Sequence, residues 1–81
     1  MTIQISFYSY FKEIAGCTRT TEELAIDCTL GDLLDVIYRR FPKLGAMRKS
    51  TLVAVGVEYQ DRSFRLKDGD EVSLFPPVQG G

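Results

Sequence analysis

Residues 2–8, TIQISFY, alternate without a break: Ile3, Ile5 and Phe7 point one way, Gln4, Ser6 and Tyr8 the other. That period predicts a strand with one buried face. FKEIAGC then turns the chain away, with Gly16 free to take a positive φ. A second alternation, ELAIDC, predicts a strand over 23–28 with Leu24, Ile26 and Cys28 on one face. Thr29 opens the clearest helix, as an N-cap with Asp32 three residues on, a short form of the capping box. Leu30, Leu33, Leu34, Ile37 and Phe41 follow at helical spacing, while Asp32, Asp35, Arg39 and Arg40 face water. Pro42 disfavours helical geometry at Phe41 and so ends the helix, with Arg39 and Arg40 suited to the dipole there. LVAVGV, 52–57, predicts a strand largely covered on both faces. EYQDRSF reads as turns with a short edge strand, and the Asp-Gly of LKDGDEV as a turn ahead of a last strand, EVSLF. In that strand Val72 and Leu74 point one way, Ser73 and Phe75 the other.

Four strands around one long helix are most economically buried as an α+β domain, a sheet covered on one face by that helix. The element order resembles the ubiquitin-like β-grasp fold, which implies a mixed sheet with its first and last strands as neighbours. Tyr8 and Phe75 would then sit together on the uncovered face, an aromatic cluster of the kind that marks a docking surface. The expected division is a domain over 1–75 and an extended tail over 76–81.

Composition removes several function classes. At 81 residues the chain is expected to be one small domain. Ten basic side chains against eleven acidic ones argue against binding nucleic acid by counterion release. No run approaches the roughly 20 apolar residues of a membrane span. The N-terminus lacks the basic head and apolar segment of a secretory signal, so a cytoplasmic location is expected. There is no His, which removes the commonest general base and zinc ligand. Cys17 and Cys28, far from CxxC spacing, read as ordinary small side chains. The chain is expected to bind no cofactor itself.

Candidate chemistry is concentrated at the end, LFPPVQGG. Pro76 and Pro77 fix φ at about −65° and stiffen the exit from the last strand. Val78 and Gln79 add reach, and Gly80 and Gly81 make a slender tip that another protein's backbone can approach closely. A carboxylate at Gly81 is a poor electrophile, because attack adds electron density to an anion. Activation as an acyl-adenylate removes that obstacle, after which a sulfur or amine nucleophile can take the acyl group. The acid–base groups would come from partner enzymes.

LKDGDEVSLFPPVQGG, 66–81, resembles the C-terminal signature of the molybdopterin synthase small subunits, a β-grasp family of sulfur carriers: Leu-x-Asp-Gly-Asp-Glu-Val, an apolar stretch, then Phe-Pro-Pro-Val-x-Gly-Gly. A weaker likeness covers the whole chain. Where the family commonly has Phe-Ala-x-x-Arg-Glu, this chain has Tyr8, Ser9, Lys12 and Glu13; where it often has Ala-Val-Asn, this chain has Gly56 as the third residue. Lys12 keeps the charge of arginine without its fork. The resemblance implies that a ubiquitin-activating-like adenylyltransferase adenylates Gly81 with ATP and magnesium, and that a sulfur donor converts the adenylate to a thiocarboxylate. Gly81 then delivers sulfur to a cyclic pyranopterin monophosphate inside the synthase large subunit, in a heterotetramer. By the same resemblance Tyr8, Lys12, Tyr59 and Phe75 dock the partners, while Pro76, Pro77, Val78 and Gly80 enter their active sites. Thiamine-type sulfur carriers and protein-modifying ubiquitin relatives also end in Gly-Gly, but usually without Phe-Pro-Pro-Val. A ubiquitin-like interaction domain with an incidental tail is the remaining alternative.

Overall fold

Ile3, Ile5 and Phe7 are fully buried along β1 (Thr2–Phe7), as their alternation predicts. The computed structural model describes residues 1–77. After β1 come α1 (Phe11–Ala15), β2 (Arg19–Glu23), α2 (Leu30–Arg40), α3 (Pro42–Gly45) and a 3-10 turn (Arg48–Ser50). Strands β3 (Leu52–Val55), β4 (Glu58–Tyr59) and β5 (Glu71–Phe75) complete the chain. The sheet order is β2-β1-β5-β3-β4, with β1 and β5 parallel and the other pairs antiparallel. In this register Ile5 lies beside Val72 and Phe7 beside Leu74, so both strands send their apolar residues to one face. There α2 contributes Leu30, Leu33, Leu34 and Ile37, and Phe11, Leu44 and Leu66 close the core. Each such side chain, fully buried, stabilises the fold by about 1.5–3 kcal/mol. Among the described residues no buried side-chain polar atom lacks a partner, and no helix is long and apolar enough to cross a membrane.

Two predicted strands differ in the structure. The second covers Arg19–Glu23, not 23–28: β1 pairs Thr2 with Glu23 and Ser6 with Arg19. Leu24 adds two hydrogen bonds with Met1, its amide donating to the Met1 carbonyl and its carbonyl accepting from the Met1 amino group, before Asp27 at φ 73° breaks the extended path, leaving Ile26 80% exposed. The true strand is polar because it is an edge, where half of each residue meets water. Its helix-side Glu22 binds Arg40 of α2 at 2.6 Å, and Arg40 also donates to the Thr21 carbonyl. The third strand stops at Val55, because Gly56 at φ 62° starts a two-residue turn that puts Val57 98% in solvent. Within it Val53 and Val55 pack on the core and Ala54, on the opposite face, is buried too, so the middle of the strand is covered on both faces and only Leu52 at its start is exposed. The single-turn helices α1 and α3 are too short to show a period, although each buries one large residue, Phe11 and Leu44.

The start of α2 is held twice. Thr29 Oγ1 accepts from the Asp32 amide and the Asp32 carboxylate accepts from the Thr29 amide, completing the capping box. Residues 60–66 form a strap across the same end, where the Leu30 and Gly31 amides donate to the Phe64 and Arg62 carbonyls. Gly31 also lets the Arg62 side chain lie close: a Cβ there would sit 3.1 Å from Arg62 Nε, and that side chain would have to shift. At the other end Phe41 leaves helical geometry and Pro42 restarts the chain as the first residue of α3.

Thr29→Ala is expected to lower stability by about 1 kcal/mol, read as a lower urea midpoint at unchanged slope; an unchanged midpoint would mean that the strap alone holds the helix start. A second test concerns Tyr38, whose phenol burial pushes above its ordinary pKa, a rise opposed by a hydrogen bond with Thr51 and by the Arg62 and Arg48 charges. The folded state therefore favours the neutral phenol. Its stabilisation is complete below the unfolded value of about 10 and fades as pH rises through the higher folded value. Tyr38→Phe should flatten the alkaline decline in urea stability, and an identical decline in both proteins would reject this cause.

Candidate docking site

Parallel strands end at the same side of a sheet, and here that places two aromatic residues together. Because Phe7 is level with Leu74, the next residues, Tyr8 and Phe75, both fall on the face away from α2. Their rings stack with centroids 4.6 Å apart and planes 15° apart. The antiparallel neighbour β3 begins level with them, pairing Leu52 with Phe75. Next to it β4 sets Tyr59 against Ala54, and the Tyr59 ring meets Phe75 edge to face at 6.5 Å. The result is an aromatic ledge. A shallow hollow of about 500 Å³ runs over it to Ser9, Tyr10, Pro76 and Pro77. Tyr8 is 45% and Tyr59 68% exposed. Elsewhere the same face is polar or small, with Gln4, Ser6, Glu71 and Ser73. The exposed aromatic surface is thus gathered at the corner where β5 gives way to Pro76.

Tyr8, Tyr59, Phe75, Pro76 and Pro77 all line this corner. Lys12 does not: it stands exposed on α1, away from the hollow's lining. Val78, Gly80 and Gly81 lie outside the described residues. Leu52, Ser9 and Tyr10 belong to the lining and were not singled out in the sequence. Leu52 carried a signal, as the first apolar residue of a short strand, but only the pairing with Phe75 gives it a place. Tyr10, packed edge to face on Phe11 at 5.4 Å, follows from the single-turn α1 and had no sequence signal.

Chemically the ledge can bind but has little with which to catalyse. Its surface is phenyl, phenol, proline ring and aliphatic side chain, with the Ser9 hydroxyl. Cys17 and Cys28 are free thiols, both half-buried, and neither lines the hollow. Among the described residues no cluster of three His, Cys, Asp or Glu side chains could hold a metal ion.

A five-stranded mixed sheet in this order, crossed on one face by a single long helix, defines a protein of the ubiquitin-like β-grasp class. The chain belongs to the ThiS family, whose model matches residues 5–81. It is 37% identical over 84 residues to the molybdopterin synthase sulfur carrier subunit of Chlamydomonas reinhardtii, a match covering 100% of each chain. Among solved structures, SAMP1 from Haloferax volcanii is similar with a TM-score of 0.89 and 27% identity, over 100% of both chains. A chain from the complex of subunits 1 and 2 of the molybdopterin-converting factor of Helicobacter pylori is similar with a TM-score of 0.73 and 28% identity, also over 100% of both.

The ring stack can be measured directly. A double-mutant cycle of Tyr8→Ala and Phe75→Ala should give a coupling of about 0.5–1.5 kcal/mol in urea stability; additive single effects would mean the rings do not interact in solution.

Proposed function

We propose that this chain is the sulfur carrier of molybdopterin synthase. Supporting it are membership of the ThiS family and the sulfur carrier subunit named among its full-length relatives. The observation that carries the reading is the ledge: the exposed aromatic surface lies where β5 hands over to Pro76 and Pro77, at the base of the Val-Gln-Gly-Gly segment. A protein that covers the ledge grips the root of that segment and can admit its end into a channel.

The chemistry follows from an acyl group that must first be made electrophilic. The Gly81 carboxylate attacks the α-phosphorus of ATP, forming acyl-adenylate and releasing pyrophosphate; magnesium offsets phosphate charge in the activating enzyme. A persulfide or sulfide nucleophile then forms a C–S bond at the acyl carbon, and AMP leaves with the electron pair of the broken C–O bond. With a persulfide, reduction by a thiol cleaves the S–S bond and leaves the thiocarboxylate. Inside the large subunit that sulfur transfers to the cyclic pyranopterin monophosphate, and water restores the carboxylate. Tyr8, Tyr59 and Phe75 serve docking; Pro76, Pro77, Val78 and Gly80 thread the end into each partner. Lys12, standing apart from the ledge, serves as a peripheral charge contact. The partners are the adenylyltransferase and the large subunit, the latter forming a heterotetramer with two carriers. The Helicobacter pylori complex of subunits 1 and 2 supports that pairing. An ATP-dependent cycle of this kind runs in the cytoplasm.

The likeness to SAMP1, whose structures include one described as the small archaeal modifier protein 1, favours a second reading as a protein modifier. One measurement separates them. With its adenylyltransferase, ATP and a sulfur source, the chain should gain about 16 Da, one oxygen exchanged for sulfur, and deleting Gly81 should abolish the gain without changing the melting temperature. No gain with a demonstrably active enzyme rejects the carrier reading. Isopeptide-linked lysine adducts without any thiocarboxylate favour the modifier.

A further inference from the structure

The charges of this chain nearly cancel but are not mixed. Residues 36–57 hold Arg39, Arg40, Lys43, Arg48 and Lys49 and no carboxylate, whereas the rest of the chain sets five basic side chains against eleven acidic ones. In the fold that stretch is the end of α2, α3, the 3-10 turn and β3. Arg40 is engaged by Glu22. Arg39, Lys43, Arg48 and Lys49 are exposed, and among the described residues none of them forms an ion pair.

A groove crosses this basic region. Two hollows of about 680 and 620 Å³ share Asp35, Tyr38 and Arg48 in their linings, and so lie side by side. One end begins at Leu52 and Tyr59, which also line the ledge; the other reaches Arg39 and Pro42. Its walls include Leu34 and Val53 as well as Tyr38. Asp35 is paired with Arg62 at 2.9 Å, so Arg39, Arg48 and Lys49 are opposed along the groove by Asp61 alone, whose carboxylate is bonded to Ser63. A merely solvated basic face needs no apolar floor and no connection to a docking surface.

We infer that this groove receives an extended acidic segment of the protein that docks on the ledge, an apolar side chain lying at Leu52 and Tyr59 and carboxylates meeting Arg48, Lys49 and Arg39. The inference rests on the proposed reading only for the ledge being an interface. A nucleic acid fits less well, because the acidic remainder of this small domain repels a phosphate backbone beyond the groove.

The test titrates the isotope-labelled full chain with a synthetic peptide, one phenylalanine followed by six glutamates, at low ionic strength. Amide shifts should concentrate on Tyr38, Arg39, Arg48, Lys49 and Leu52. Affinity should fall about tenfold in the Arg39→Glu, Lys49→Glu double variant and decline with added salt. Both substituted residues are exposed, and dispersed spectra of the variant check its fold. Shifts elsewhere, or none, overturn the inference. So does tighter binding of a single-stranded oligonucleotide of equal charge, or a concentration-dependent dimer that the double variant abolishes. A chain that gains sulfur but ignores the peptide sinks this inference alone; one that binds the peptide here but never gains sulfur supports it and sinks the carrier reading.

Discussion

The parallel pairing of β1 with β5 is the constraint on which the rest of the molecule depends. It joins residues 2–7 to residues 71–75, nearly the full length of the chain apart, so nearly all its loop-closure entropy must be offset by what the pairing buries. The return is a central pair whose inward residues, Ile5 with Val72 and Phe7 with Leu74, form the middle of the core. A slip of one residue would drive Ser73 inward and expel Leu74, which is why the register is strongly specified. The entry to β5 is clamped as well. Thr2 N donates to Asp68 Oδ1 at 2.7 Å, and the Gly69 amide donates to the Thr2 carbonyl at 2.9 Å, across the Asp-Gly turn. Gly69 at φ 85° is the residue that lets that turn close.

From this pairing the ledge follows without further design. Two parallel strands whose inward residues are in step must also present their next outward residues side by side, and here those are Tyr8 and Phe75. Phe75 is both the last residue of the strand and the immediate predecessor of Pro76. One side chain thus belongs both to the ledge and to the root of the segment that begins at Pro76, on a strand paired on both edges. Leu52, Tyr59 and Phe75 stand on strands and Tyr8 directly follows one, so the aromatic part of the ledge inherits their rigidity. On the proposed reading, a rigid grip with the acid–base chemistry left to a partner suits a chain without histidine.

The misread segments share a cause. Leu24, Ile26 and Cys28 alternate, yet the sheet took the polar residues just before them, because an edge strand needs little apolar surface and Asp27 bends the backbone away. Val57 belongs to an apolar run and lies in solvent, because Gly56 ends the strand before it. The strap over α2 uses backbone carbonyls of Arg62 and Phe64, which no side-chain pattern announces. In each case a local pattern was outweighed by a pairing or turn set elsewhere in the chain.

What the residues determined by themselves is which side of β1, α2 and β5 is buried, where α2 begins and ends, and where the Asp-Gly turn falls. Those properties are periodic or capped within a few residues, so the information sits in adjacent positions. Only the tertiary structure decided that β1 lies between β2 and β5, that Leu52 meets Phe75, and that Tyr8, Tyr59 and Phe75 form one surface. Strand order and register are choices among distant partners, made by the joint packing of a core that no single segment contains.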